Sequence, residues 1–354
     1  MDLAQAAMAI GRLDGLLAGL DETTRAGLIA RLALTEVEAM LWAAGQPIPQ
    51  EVLIRDLAEA PASVDLEALA LARWAVGRLQ GRGRLDALQD FLGLHRAGQG
   101  RGDSDLLRPT GADFDSETEG FAAGLAALEG CHAITRAAYG LRLWRLTDLS
   151  PDGHQLEAKC WAARAMADSA GPLVMVPMGQ GGRRVWMTGG DAEEFLRAWC
   201  GAIAAGCEAG FRVIRQLMDW ADRARRTTAR IKGSNAGLVI DALVVHPVVS
   251  AAALEAEAAI SRDTAERLLL LLHYSIDWDT SWVAEPRHRK TYWDELLPGR
   301  VRRAAYRSDT LDRWWSDVSG QLGAPAPRQR DRRLELATLL REPPLPVIAV
   351  LRDR

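Results

Sequence analysis

The residue types best suited to chemistry lie in segment 250–272, which reads SAAALEAEAAISRDTAERLLLLL. Its apolar residues have the spacing of two short helices that pack across each other, and serines stand where a hydroxyl can cap each helix start. Ser261 can cap the second helix, which leaves polar side chains on its outer side: Arg262, Thr264, Glu266 and Arg267. Arginine can donate two hydrogen bonds to one guanine, and serine or threonine can reach a base or a phosphate. The pattern is typical of a helix-turn-helix, whose second helix enters the major groove of duplex DNA.

The turn between the two helices carries its own expectations. Ile260 should fill the space between the helices, and Asp263 lies in the first turn of the second helix, where the helix dipole favours an acid. Ala259 stands where this motif usually has glycine, and alanine adopts the required backbone conformation less readily. We predict that four residues contact DNA: Ser261, Arg262, Thr264 and Arg267. Of these, the two arginines should bind the base edges. The pattern leaves one alternative open, a helical hairpin whose charged face is only solvated.

A basic turn follows the two helices. Residues 282–293 read WVAEPRHRKTYW, which predicts two short strands around the turn, the wing of a winged helix-turn-helix. Positive side chains in the turn could meet phosphates: Arg287, His288, Arg289 and Lys290. More arginines follow, at 300, 302, 303 and 307, against the acids Glu285, Asp294 and Glu295. We therefore predict DNA contacts from Arg287, Arg289 and Lys290 as well.

The composition limits how DNA can be bound. The chain has 354 residues, 48% of them hydrophobic and 25% charged, which is ordinary for a globular protein of several domains. The net charge of −4 excludes a uniformly basic coat, so DNA binding must depend on a local patch. The sequence has neither a long apolar run nor the pattern of a secretory signal. We expect a cytoplasmic protein without membrane contact.

Cysteine, histidine and glycine patterns predict no other site. The four cysteines form no C-x-x-C pair and the six histidines no pair at ligand spacing, so we expect buried reduced thiols and neither a metal, a cofactor nor a catalytic group. Cys200 and Cys207 should share one face of a helix. The glycines at 179–182 could cradle a phosphate, but a hairpin turn between 172–177 and 184–187 needs the same residues. The hairpin is the prediction.

Helical periodicity and turn residues predict a mainly α fold in five parts. Asp191 is the expected N-cap of a long helix reaching about Arg226. The parts are an N-terminal helical domain (1–95), a flexible linker (96–118), a central helical domain with a small hairpin (119–235), the winged helix-turn-helix (236–307) and a helical, proline-rich tail (308–354).

Three stretches resemble an uncharacterised, plasmid-borne family of rhizobia and related alphaproteobacteria. They are RLDGLLAGL (12–20), the helix over 195–220 and HPVVSAAAL (246–254), which leads into Ile260. In that family a domain of unknown function precedes a C-terminal helix-turn-helix, and the resemblance covers most of the chain. It implies a DNA-binding module at the end of a larger helical protein.

A more distant resemblance is to the Fic proteins, which pair a helical nucleotidyl-transfer core with a similar C-terminal winged helix-turn-helix. Their motif is His-Pro-Phe-x-Asp/Glu-Gly-Asn-Gly-Arg, and the nearest string here is DLSPDGHQL (148–156). It keeps only Asp152 and Gly153. Asp148 stands in place of the catalytic histidine and Leu156 in place of the phosphate-binding arginine. Without the base and the anion cradle we expect no transfer of nucleotides.

These patterns favour a homodimeric, sequence-specific transcriptional regulator that binds duplex DNA and is not an enzyme. In this hypothesis the N-terminal helices mediate assembly or sensing. Two alternatives stay open. One is a degenerate Fic-like enzyme that transfers nucleotides to protein hydroxyls. The other is a non-catalytic interaction scaffold whose helix-turn-helix no longer touches DNA.

Overall fold

The structure, a computed structural model, is mainly helical, as the sequence predicts. None of the described helices has the length and apolarity that a membrane crossing requires. The residues that the structure describes are 2–48, 52–53, 66–94, 108–151, 154–167, 170–179, 185–186, 191–231, 233–276 and 349–351.

The described helices are short or medium in length except for one of 37 residues. In chain order they are α1 (Asp2–Ala18), α2 (Glu22–Ala43), α3 (Leu66–Leu79), α4 (Leu88–Leu92), α5 (Ala112–Ala126), α6 (Ala133–Trp144), α7 (Leu156–Ala165), α8 (Ala192–Thr228), α9 (Asn235–Val245), α10 (Ala251–Ala258) and α11 (Arg262–Ile276). Two short strands, β1 (Val248–Ser250) and β2 (Ala349–Leu351), pair with each other. The predicted start of the long helix is confirmed, because the Asp191 carboxylate accepts the N–H groups of Glu193 and Glu194 at 2.8 and 3.0 Å.

The described residues group into two compact units. The first contains those up to residue 216, together with 244–248 and 349–351. The second contains the described parts of 217–243 and 249–276. The second unit therefore holds the end of α8, most of α9 and both helices of the predicted helix-turn-helix.

Aromatic side chains form the centre of the first unit. The ring of Phe121 meets the rings of Trp144 and Trp161 edge to face, with centroids 5.1 Å apart in both pairs. Phe91 extends the cluster at 6.3 Å from Trp144. Gly140 leaves space for the ring of Trp161, because a Cβ at this position would lie 2.4 Å from that ring. Contacts between rings thus join α4, α5, α6 and α7.

Helix α2 lies very close to residues 244–246 within the first unit. A Cβ on Gly27 would lie 1.8 Å from the carbonyl oxygen of Val245, so only glycine fits. The guanidinium of Arg31, which is 2% exposed, donates to the carbonyl oxygens of Val244 at 2.6 Å and His246 at 2.7 Å. Carbonyls at a helix C-terminus lack partners in their own helix and attract a cation. Arg31 therefore caps the end of α9 from another helix.

A buried ion pair corrects the predicted linker. Arg108 is 5% exposed and donates to both carboxylate oxygens of Glu157, at 2.8 and 3.0 Å. The hydroxyl of Ser150 donates to the same carboxylate at 2.6 Å. Helix α5 then begins at Ala112, so the prediction of a flexible linker as far as residue 118 is wrong. The polar composition around Arg108 predicted a solvated segment, because the partner that buries this arginine, Glu157, lies 49 residues further along the chain.

The predicted hairpin is also absent from its described residues. Segment 170–179 contains no strand, and residues 185 and 186 have 3-10 geometry rather than that of a strand. Side chains of other helices bind N–H groups of this segment instead: the Asp14 carboxylate accepts from Leu173 at 2.8 Å, and the Glu36 carboxylate accepts from Met178 and Gly179 at 2.9 and 2.7 Å. The buried Glu36 and the half-buried Asp14, not a β-ladder, hold this segment.

Glu36 gives the first unit a pH dependence. Burial raises the pKa of its carboxyl from 4.5 to about 7. Between these values the folded state holds a proton that the unfolded state has lost, so stability falls as the pH rises and levels off above about pH 7. The shift corresponds to roughly 3 kcal/mol.

We expect Glu36→Gln to remove this decline, because the amide carries no ionisable proton. Urea unfolding should show the variant gaining up to roughly 3 kcal/mol over wild type between about pH 5 and 8. Glu208→Gln, at an exposed position of α8, should follow the wild-type curve. A wild-type slope in Glu36→Gln would contradict the assignment.

Candidate nucleic-acid interface

Helices α10 and α11 are joined by a three-residue turn and pack against each other. The hydroxyl of Ser250 accepts the N–H of Ala253 at 3.0 Å, which confirms the predicted cap of the first helix. Ile260 is 2% exposed, as expected for the residue between the two helices. Other apolar side chains of the pair are buried with it: Leu254, Ala265, Leu268, Leu269 and Leu272.

The turn depends on an unusual backbone conformation at Ala259. Its φ and ψ are 52° and 33°, in the left-handed region, and it is the only non-glycine residue with a positive φ in the described part of the chain. This conformation ends α10 and lets α11 start three residues later in a new direction. The expectation that the position favours glycine is confirmed. The left-handed conformation costs alanine about 1 kcal/mol relative to glycine.

The start of α11 differs in one detail from the prediction. Ser261 was predicted to cap the helix by accepting a backbone N–H. Its hydroxyl instead lies 2.9 Å from the side-chain hydroxyl of Thr264. Asp263 is in the first turn of the helix, as predicted. The two hydroxyls that could reach a base or a phosphate are therefore neighbours.

The outward side of α11 carries four charged residues. The side chains of Arg262 and Arg267 are 45% and 58% exposed, which agrees with the predicted orientation. Sequence reasoning missed their partners: Arg262 lies 3.5 Å from Glu266, and Arg267 lies 2.7 Å from Asp263. Both pairs join residues four apart, so the spacing in the sequence was the available signal.

The described part of the second unit is not basic. It contains six arginines and seven acidic residues. Arg225, near the end of α8, is bound to Asp222 at 3.2 Å and to Asp241 at 2.7 Å. The predicted contacts Arg287, Arg289 and Lys290, together with the wing, lie outside the described residues. The described part of the second unit therefore carries no excess of positive charge.

The described residues of the Fic-like string occupy ordinary structural positions. Asp148 is exposed and its N–H donates to Glu117 at 3.2 Å, whereas Leu156 is buried at the start of α7. His154 is buried between two carboxylates, 3.8 Å from Glu67 and 3.9 Å from Glu157. Asp152 and Gly153 lie outside the described residues.

The remaining candidate ligands are placed as follows. Cys160, Cys200 and Cys207 are buried, whereas Cys131 is exposed. Burial raises the pKa of Cys207 to about 12, which disfavours the thiolate. Gly179 already donates its N–H to a carboxylate, which would repel a phosphate. In the described part of the chain, no cluster of three or more histidine, cysteine or acidic side chains is arranged to bind a metal ion.

We expect Ala259→Gly to stabilise the helix pair by up to about 1 kcal/mol, because glycine adopts a positive φ without steric strain. Ala256→Gly is the matched control: it places glycine at an exposed position inside α10, where about 1 kcal/mol should be lost. Urea unfolding of both full-length variants measures the difference. Equal destabilisation by the two substitutions would show that the left-handed turn is not formed.

No protein-family model matches the chain, and no curated protein sequence matches it significantly. The resemblances to the plasmid-borne family and to the Fic proteins stay predictions.

Proposed function

We propose that the chain binds duplex DNA through a winged helix-turn-helix and acts as a transcriptional regulator. The observation that carries the proposal is the compact pair α10 and α11, with a capped first helix, a left-handed turn and a buried residue between the helices. This is the arrangement in which the second helix of a helix-turn-helix presents its N-terminal half to the major groove. In this proposal α11 is the recognition helix.

The positions of the charged residues around α11 suit that role. At 100° per residue, Asp263 and Arg267 lie within about 40° of each other, on the side opposite the buried leucines. Arg262 and Glu266 form a second stripe beside them. We assign base reading to Arg262 and Arg267, with Ser261 and Thr264 as contacts to bases or phosphates. The two stripes would follow the groove along the first turns of α11.

Phosphate binding is assigned to the basic stretch that follows α11. Its support is the sequence alone: Arg287, Arg289 and Lys290 lie around a predicted turn, and the described part of the second unit supplies no net positive charge. Contacts with phosphates add affinity without reading sequence, whereas contacts with base edges discriminate between sequences. We therefore propose two classes of arginine with different functions. A homodimer would place two recognition helices in successive major grooves, about 34 Å apart.

Full-length protein should select a preferred duplex from a random pool and bind it with a salt-dependent affinity. Arg262→Ala should weaken the selected duplex by about 5- to 150-fold and relax the preference at one base pair. Arg289→Ala should weaken all duplexes alike and reduce the salt slope by about one ion. Fluorescence anisotropy over a salt series measures both effects.

Arg197→Ala removes an exposed arginine of the first unit and serves as the control, with unchanged binding expected. Failure of the wild-type protein to enrich any duplex at low salt would refute the proposed function.

A further inference from the structure

The outward face of the recognition helix is electrically neutral. Each arginine assigned to base reading is paired with an acid one turn away on the same helix: Arg267 with Asp263 at 2.7 Å, and Arg262 with Glu266 at 3.5 Å. The two carboxylates are themselves 71% and 55% exposed. Any ligand that reaches the arginines therefore also meets the acids.

The two pairs contribute little to the stability of α11, although Asp263 also lies in its first turn, where the helix dipole favours an acid. Ion pairs between exposed side chains contribute little to folding, because both partners are well solvated and lose conformational freedom when they pair. Binding is a different matter. Duplex DNA carries one negative charge per about 1.7 Å of its axis, so a carboxylate entering the groove is repelled unless something there donates a hydrogen bond to it. The acids thus penalise entry into an arbitrary sequence.

Only some base pairs can offset that penalty. Guanine presents two acceptors to an arginine, and cytosine presents an amino group to a carboxylate. A half-site containing G·C pairs can therefore satisfy both members of an ion pair at once. A sequence that offers no amino group, from cytosine or adenine, in the right place leaves a carboxylate unpaired in the groove.

We propose that Asp263 and Glu266 are specificity-determining residues, which suppress binding of α11 to arbitrary duplex DNA and admit G·C-containing half-sites. The inference rests on the proposed function and deepens it. Specificity is a difference between two affinities, and a repulsive group that is matched only in the correct site increases that difference. The arginines supply the attraction, and the acids decide where it is available.

The test neutralises each acid without changing its shape, with Asp263→Asn and Glu266→Gln in the full-length chain. Two probes are used: the duplex selected by the wild-type protein and a scrambled duplex of the same length and composition. We expect each substitution to tighten binding to the scrambled duplex by roughly 3- to 10-fold and to steepen its salt slope. Binding to the selected duplex should change less, so the ratio of the two affinities falls.

Glu255→Gln is the matched control, because it removes an exposed acid of α10 that has no resolved pairing with either arginine. It should leave the ratio unchanged, and circular dichroism checks that all variants keep their helix content. If wild type binds its selected duplex and the two variants keep the wild-type ratio, this inference alone is overturned. If neither wild type nor the variants bind any duplex, the proposed function fails and the inference fails with it.

Discussion

The left-handed backbone at Ala259 is the constraint on which the candidate interface depends. If this residue were helical, α10 would run on into α11 as one straight helix, and Ile260 would have no second helix to pack against. Because the chain turns there, Ile260 becomes the shared core of two short helices. The residues from Ser261 onward then start a new helix whose polar side faces away from that core. One strained residue thus separates the buried side of the helix pair from the exposed polar side of α11.

Buried charges play a comparable part in the first unit. Arg31 ends α9, Glu36 holds the segment that follows α7, and Glu157 binds Arg108. In each case an ionisable side chain satisfies backbone or side-chain groups that the local structure leaves unpaired. This is costly in desolvation, and an unmatched partner would be costlier still. Segments without regular structure are therefore held by specific hydrogen bonds to the helices around them.

Local signals in the sequence were enough to predict the helices and their caps. Bonds between residues far apart in the sequence could not be predicted. The caps at Asp191 and Ser250 and the buried Ile260 follow from residue types within a few positions, so they could be predicted. The bond between Glu36 and Gly179 joins residues 143 positions apart, and no periodicity encodes it. The same holds for Arg108, whose surroundings in sequence resemble a linker. At the interface, arginine orientation was predictable, whereas the neutralising acids were overlooked although their spacing was visible.

The contact at Gly27 has a mechanical consequence. Where side chains separate two backbones, a small displacement of one helix is absorbed by rotamer changes before the other responds. At Gly27 the backbone of α2 meets the Val245 carbonyl directly. One turn later, Arg31 donates hydrogen bonds to the carbonyl oxygens of Val244 and His246. No side chain lies between the two backbones at Gly27 to absorb such a displacement. We therefore expect a rotation or sliding of α2 to displace residues 244–246 by a similar amount.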